Sequence, residues 1–256
     1  MNIFDLGGGI WRLSETLEGF TVDAYLVVGE NRAVLIDALM STKGMHEQIR
    51  KITDLPLDVV LTHAHGDHTG ASLDEFHARG CTIYMDMRDA TVLNMTGGDF
   101  IDEKWLTDLP HGTVFDLGGF KLEVLAVPGH TPGSVVVLER DRQLLFTGDT
   151  LGSGTFWMHL PHSLPLASFA ADLEKLWAQV SGMDNLIVYP GHYNPNFAGV
   201  NLQYVKDTLD ITKGLISGEM VGEDGEMDLG PIKLQFKRIG HGTMQDYLYD
   251  PGNIMS

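Results

Sequence analysis

Histidine and aspartate are concentrated in one short segment, Thr62-His63-Ala64-His65-Gly66-Asp67-His68-Thr69-Gly70. It follows the apolar run 59–61, which the pattern predicts to be a buried strand. Residues two apart in an extended segment point to the same side, so His63 and His65 can converge on one point. Asp67 and His68 come after the turn at Gly66 and can address a second point nearby. Imidazole and carboxylate groups are ligands of divalent transition metals, so the segment predicts a metal site rather than a polar loop with surface histidines.

Three later apolar runs each end beside glycine with one further candidate ligand. These ligands are His130 in Pro128-Gly129-His130-Thr131-Pro132-Gly133, Asp149 in Thr147-Gly148-Asp149, and His192 in Tyr189-Pro190-Gly191-His192. Glycine permits tight turns, so ligands at the ends of separate strands can meet. The candidate metal ligands are therefore His63, His65, Asp67, His68, His130, Asp149 and His192.

This series, HxHxDH followed by single His, Asp and His residues, resembles the metallo-β-lactamase superfamily of metal-dependent hydrolases. The resemblance extends from about the first hairpin to His192. It implies that one metal ion is held by His63, His65 and His130. It implies that a second ion is held by Asp67, His68 and His192, and that Asp149 bridges the two ions.

Asp37 ends a predicted strand and has two interpretations. Superfamily members often carry an acidic residue here that supports a metal-ligating histidine from outside the ligand set. The alternative is a solvated turn aspartate. The sequence leaves this choice open.

Composition limits the class of protein. The chain has 256 residues and a net charge of −18, with 35 acidic and 17 basic residues. A single domain over residues 1–256 is predicted from the length. The expected substrate is a small molecule. An acidic surface disfavours nucleic acid and anionic membranes as partners, and no apolar run approaches the ~20 residues that cross a bilayer. Cys81 is the only cysteine, and the N-terminus lacks a signal-peptide pattern, so a cytoplasmic location is expected. Whether the chain forms a homo-oligomer stays open.

The predicted elements combine two strand-rich halves with interspersed helices. The clearest helix spans 165–180, where one apolar stripe repeats at helical spacing and Ser163 is the expected cap. Further helices are predicted from Ser41 to about Ile52 and over 197–216. This arrangement is typical of an α+β protein, and the resemblance implies a four-layer αββα sandwich.

Segment 151–163 follows Asp149 directly and could line a substrate pocket. Its candidate substrate contacts are Trp157, Phe156 and His159. The alternative is a loop packed on the next helix, with His159 and His162 solvated or hydrogen-bonded. We favour this alternative for both histidines, because the ligand set is complete without them.

The predicted reaction is hydrolysis. Two adjacent metal ions can share a water and lower its pKa towards ~7, so hydroxide becomes available to attack a carbonyl or phosphoryl centre. Asp67 is the candidate catalytic residue, because it could orient this hydroxide or carry its proton. Zinc is the expected metal, with iron or manganese as alternatives.

The motif is closest to glyoxalase II and lactonase-like members, which implies a small ester, thioester or lactone as substrate. Three alternatives stay open. The first is a phosphodiesterase, and the second is a mono-iron dioxygenase of the persulfide dioxygenase type. Such a dioxygenase would use two histidines and the aspartate at the position of Asp149. The third alternative is a binding module without catalytic activity.

Overall fold

Three β-sheets and the helices packed on them make up the fold. The computed structural model describes residues 1–17, 20–95, 100–152, 154–194, 200–228 and 233–255. The first sheet has seven strands in chain order: β1 (Asn2–Gly7), β2 (Ile10–Leu17), β3 (Phe20–Val28), β4 (Ala33–Ile36), β5 (Leu57–Val60), β6 (Ile83–Met85) and β7 (Leu106–Asp108). Strands β1 to β4 are antiparallel, and β4 to β7 are parallel.

Nine further strands form the other two sheets: β8 (Val114–Asp116), β9 (Lys121–Ala126), β10 (Val135–Glu139), β11 (Leu144–Gly148), β12 (Gly154–Met158), β13 (Ile187–Pro190), β14 (Glu223–Asp228), β15 (Lys233–Ile239) and β16 (Gln245–Tyr249). The second sheet has the order β13-β11-β10-β9-β8, and the third has the order β12-β16-β15-β14. Because β11 and β13 are parallel neighbours, their carboxyl ends lie at the same edge of the second sheet.

The α-helices are α1 (Met45–Ile49), α2 (Gly66–Thr69), α3 (Leu73–Ala78), α4 (Leu166–Val180) and α5 (Leu202–Ser217). Two short 3-10 helices span Met87–Thr91 and Glu103–Trp105. None of the described helices combines the length and apolar character that a bilayer crossing requires.

In the first and second sheets, successive strand residues point to opposite faces, so each sheet buries side chains on both faces. In β4, Val34 and Ile36 enter a core shared with Val124 and Phe146 of the second sheet. Its neighbour Leu35 enters a different core, against the side of the sheet that carries α1 and α3. The outer face of the second sheet packs on α4 and α5. The predicted four-layer αββα sandwich is therefore confirmed.

The predicted helix over 165–180 is confirmed as α4, but two predicted helix caps were wrong. Helix α1 begins after Gly44, which has a left-handed φ of 74°, and not at Ser41. Ser41 instead donates its amide and hydroxyl to the buried carboxylate of Glu15. Ser163 does not cap α4, whose N-cap is Pro165; its hydroxyl donates to the carbonyl oxygen of His130 at 3.1 Å.

The second predicted helix is present as α5. Asn201 caps it by accepting a hydrogen bond from the Gln203 amide at 3.0 Å. Residue 197, where we predicted the helix to start, lies outside the described residues. The single domain over 1–256 stays a prediction.

Candidate metal centre

The structure brings the seven predicted ligands together from four segments. The segment after β5 carries four of them, with Asp67 and His68 in helix α2, and His130 lies between β9 and β10. Asp149 follows β11 and His192 follows β13, so the parallel pairing of these two strands places both residues at one edge. The ligands fall into two groups, and within each group all ligand atoms lie within 4.8 Å of one another. The first group is His63, His65, His130 and Asp149. The second group is Asp67, His68 and His192.

The first group contains three buried imidazoles. His65 Nδ1 lies 3.1 Å from His63 Nε2 and 2.9 Å from His130 Nε2. Burial lowers the pKa of His63 and of His65 well below the usual value, so both imidazoles are neutral at pH 7. Neutral imidazole is the form that binds a metal, and three ring nitrogens directed at one another provide a ready donor set.

The second group is held by charge. Asp67 Oδ2 lies 3.4 Å from His192 Nε2 and 3.8 Å from His68 Nε2. Burial acts against ionisation of Asp67, but the positive charges of His68 and His192 and a hydrogen bond with His192 together outweigh it and lower the pKa of Asp67 to about 2. Asp67 is therefore a carboxylate at neutral pH.

Asp149 faces both groups. One carboxylate oxygen, Oδ1, lies 3.2 Å from His68 Nε2. The other, Oδ2, lies 3.3 Å from His192 Nε2 and 3.6 Å from His130 Nε2. One side chain therefore reaches ligand atoms of both groups.

Two buried atoms between the groups, one from His68 and one from Asp149, indicate whether the site suits a cation. His68 Nε2 and Asp149 Oδ1 are buried, and neither makes a well-oriented hydrogen bond within the described part of the chain. A buried polar atom without a partner is costly, and a cation bound between imidazole nitrogen and carboxylate oxygen removes that cost. The donor set therefore fits divalent zinc, iron or manganese.

Four of the candidate ligand histidines are also held at their second ring nitrogens. His63 Nδ1 lies 3.0 Å from Thr62 Oγ1, His68 Nδ1 lies 2.9 Å from Asp37 Oδ2, His130 Nδ1 lies 2.8 Å from the Trp157 carbonyl oxygen, and His192 Nδ1 lies 2.5 Å from the Thr21 carbonyl oxygen. Such partners fix the ring orientation and the tautomer of a metal ligand.

Asp37 contacts the candidate ligand His68, so the geometry favours a supporting role for Asp37 over a solvated turn aspartate. Its Oδ1 accepts from the Thr62 amide at 2.7 Å, and its Oδ2 accepts from the Thr62 hydroxyl at 2.9 Å and faces His68. Its backbone has a φ of 63°, which is rare for a residue with a side chain. Gly148 permits this packing, because a Cβ there would lie 2.2 Å from Thr62 Oγ1.

Asp89 links two ligand-bearing loops and was not predicted from the sequence. This fully buried carboxylate accepts from the Ala64 amide at 2.9 Å and from the Thr131 hydroxyl at 2.7 Å. It also accepts from the Gly133 amide. Ala64 lies between His63 and His65, so Asp89 joins that pair of ligands to the loop of His130.

His162 is hydrogen-bonded and lies outside both ligand groups, as the favoured alternative expected, but its partner is the candidate ligand His65. Its Nε2 lies 2.6 Å from His65 Nε2, on the side of the His65 ring away from the other ligands. Burial lowers the pKa of His162 to about 4, so this ring is neutral and its Nε2 can accept a hydrogen bond from His65 Nε2–H. That hydrogen bond leaves His65 Nδ1 free as a ligand atom.

The three candidate substrate contacts lie in different surroundings. Phe156 is buried in the core, where its ring stacks on Tyr247 with 5.3 Å between centroids, so its side chain has no surface to offer to a substrate. Trp157, next along β12, holds His130 through its backbone carbonyl. His159 is buried beside Phe236, and burial lowers its pKa to about 4.

Three comparisons with known proteins agree with this geometry. Residues 17–192 match the sequence profile of the metallo-beta-lactamase superfamily. The chain is 26% identical to acyl-coenzyme A thioesterase MBLAC2 of Gallus gallus over 226 residues, which cover 74% of this chain and 79% of that protein. It is 31% identical to hydroxyacylglutathione hydrolase GloC of Haemophilus influenzae over 138 residues, which cover 49% of this chain and 64% of that protein.

Among solved structures, a metallo-beta-lactamase from Pontibacter korlensis superimposes with a TM-score of 0.65. The match has 20% sequence identity and covers 83% of this chain and 98% of the other, so it shows a shared fold. The chain therefore belongs to the metallo-beta-lactamase superfamily, and the prediction of a metal-dependent hydrolase is confirmed.

Metal loading of the second group is expected to release protons. Burial disfavours a charged His192, but the charge of Asp149 and the hydrogen bonds with Asp149 and Asp67 together outweigh it and raise the pKa of His192 to about 10 in the metal-free protein. At pH 7 the imidazole is protonated, so a metal ion must displace that proton. Affinity should therefore fall as the pH is lowered. Zinc titration calorimetry in two buffers of different ionisation enthalpy measures the protons released, and equal heats in both buffers would contradict this prediction.

Proposed function

We propose that the chain is a binuclear metal-dependent thioesterase that acts on small-molecule acyl thioesters, with zinc as the metal. The observation that carries the binuclear centre is the position of Asp149, whose two carboxylate oxygens face ligand atoms of both groups at 3.2 to 3.6 Å. In this proposal His63, His65 and His130 hold one ion, Asp67, His68 and His192 hold the other, and Asp149 is shared.

The substrate class rests on the relatives. One is named as an acyl-coenzyme A thioesterase and another as a hydroxyacylglutathione hydrolase. Both names describe an acyl group joined to the sulfur of a large thiol. A thioester therefore takes precedence here over the oxygen ester, the lactone and the phosphodiester.

When bound, the two ions supply Lewis acidity towards the substrate carbonyl and lower the pKa of a water. The chain's own residues do the remaining work. In this hydrolysis the water oxygen bonds to the carbonyl carbon and the carbon–sulfur bond breaks. The ionised Asp67 carboxylate accepts a hydrogen bond from the attacking water, receives its proton and passes it to the departing thiolate. Phe20 presents a 45% exposed ring edge-on to His192, with 5.8 Å between centroids, and offers an apolar contact for the acyl group.

A substrate panel tests the proposal. Metal-loaded protein should hydrolyse acyl-coenzyme A or S-acylglutathione with a kcat/KM at least about tenfold above that for the matched oxygen ester, which is a difference of ~1.4 kcal/mol in transition-state binding. Chelation should abolish the activity, and added zinc should restore it.

Other outcomes of the panel would assign a different function to the chain. A preference for phosphodiesters would assign the same centre to phosphoryl transfer. One iron per chain, with oxygen uptake and no hydrolysis, would assign the chain to the dioxygenase alternative. A small-molecule partner, a cytoplasmic location and the absence of nucleic-acid or membrane partners remain part of this proposal.

A further inference from the structure

The loop that carries His192 pairs with the start of strand β3. Among the described strands, β4 pairs with residues 25–28 of β3 and leaves the earlier ones free on that side. There the Asp23 amide donates to the Gly191 carbonyl oxygen at 2.8 Å. The Thr21 hydroxyl donates to the Tyr193 carbonyl oxygen at 2.7 Å, and His192 Nδ1 lies 2.5 Å from the Thr21 carbonyl oxygen. The position of His192 thus depends on this end of β3.

Asp23 strengthens the same connection through its side chain. It is buried, and its Oδ2 accepts from the Tyr193 amide at 2.7 Å. Tyr193 directly follows the ligand His192, so this hydrogen bond fixes the backbone on the carboxyl side of the ligand. Burial raises the pKa of Asp23, and the positive charge of Arg12 is among the influences that oppose the rise.

Arg12 completes the arrangement from strand β2. Its guanidinium lies 3.8 Å from the centroid of the Tyr193 ring and 4.6 Å from that of Phe4, its cross-strand partner on β1. Its Nε lies 3.5 Å from Asp23 Oδ1. The guanidinium therefore contacts both the ring of Tyr193 and the carboxylate that holds the Tyr193 amide.

The first metal group is held by other residues. Asp89 joins the loop of His63 and His65 to the loop of His130 through hydrogen bonds to Ala64 and Thr131. None of the contacts of Arg12 described above reaches those loops. A substitution of Arg12 should therefore weaken zinc binding at the second group and leave zinc binding at the first group unchanged.

We propose that Arg12 and Asp23 are positioning residues for His192 and set the affinity of the second metal group. This inference rests on the proposed binuclear centre. Both residues act through the loop of His192 and contact neither substrate nor metal. Arg12 lies before residue 17, where the family match begins, whereas Asp23 lies within the match.

The test is Arg12→Met, which keeps the length of the side chain and removes its charge and planar group. Partners outside the ligand set typically contribute 10- to 100-fold to metal affinity. We expect the dissociation constant of the second zinc ion to rise by about tenfold or more, with that of the first ion unchanged. Competition with a chromophoric chelator, together with zinc counted by mass spectrometry, measures both constants.

The matched control is Arg142→Met. Arg142 also places its guanidinium over an aromatic ring, 3.6 Å from the centroid of Phe120. Within the described residues it makes no hydrogen bond, ion pair or ring contact with residues 191–193. The Arg142→Met variant should leave the dissociation constants of both zinc ions at their wild-type values. Arg12→Lys keeps the charge near Asp23 without the planar stacking and should fall between wild type and Arg12→Met.

A double-mutant cycle separates positioning from general destabilisation. In a His192→Ala background, Arg12→Met should cause no further loss of zinc, because the ligand that it positions is already absent. Additive losses, equal weakening of both ions, or wild-type affinity in Arg12→Met would each overturn the role of Arg12. If wild-type protein binds only one zinc ion, the binuclear centre fails first, and the positioning role fails with it.

Discussion

Asp149→Ala is expected to remove bound metal and to lower turnover by about a thousandfold. The Asp149 carboxylate reaches His68, His130 and His192, so its loss takes a ligand from both groups at once. Metal ions typically stabilise the transition state by several kcal/mol, and about 4 kcal/mol corresponds to a factor of 10³. Metal analysis and kcat measured on the same preparation check both effects.

The control for Asp149→Ala is Asp58→Asn. Asp58 is also a buried carboxylate, but it pairs with Arg32, away from the seven ligands. This variant should keep its metal and its turnover. If Asp149→Ala also kept both, Asp149 would not be a shared ligand.

Asp89→Ala is expected to destabilise the protein by about 3–5 kcal/mol and to weaken metal binding at the first group. The change leaves the buried amides of Ala64 and Gly133 without an acceptor. The Thr131 hydroxyl loses Asp89 but keeps Ser134 Oγ at 2.8 Å as a partner. Each amide without an acceptor costs roughly 1–3 kcal/mol, and the loops relax enough to recover part of the sum. Urea unfolding of the metal-free protein measures the loss of stability separately from the loss of metal.

The exposed Asp116 provides a matched control for Asp89. Its carboxylate accepts from the Gly118 amide at 3.0 Å within a turn. Water can replace that hydrogen bond, so Asp116→Ala should change the free energy of unfolding by less than ~1 kcal/mol. If Asp89→Ala were equally mild, Asp89 would not connect the two loops.

Local patterns carried the prediction of the fold and of the ligands. The continuous apolar run of β4 indicates a strand buried on both faces, and the helical spacing of apolar residues in α4 indicates which face of that helix is buried. The ligand motifs were recognisable because metal chemistry restricts the residue types and because glycine marks each turn. Family membership and the four-layer fold were therefore accessible before any coordinates, whereas the number and identity of the metal ions remain proposals.

Contacts between residues distant in sequence were not accessible. Asp89 meets Thr131 across 42 positions, and His65 meets His162 across 97 positions. No local spacing encodes such pairs. Ser41 illustrates the same limit on a smaller scale, because a helix cap and a donor to Glu15 have the same local sequence. The aromatic residues of segment 151–163 suggested a pocket wall, but β12 turns Phe156 into the core.

Anomalous diffraction from a crystal grown with zinc is the most direct test of the central claim. The proposed centre predicts two anomalous peaks, one on each side of the Asp149 carboxylate. The first peak should be bound by His63, His65 and His130, and the second by Asp67, His68 and His192. A single peak, or peaks away from Asp149, would contradict a binuclear centre in this chain.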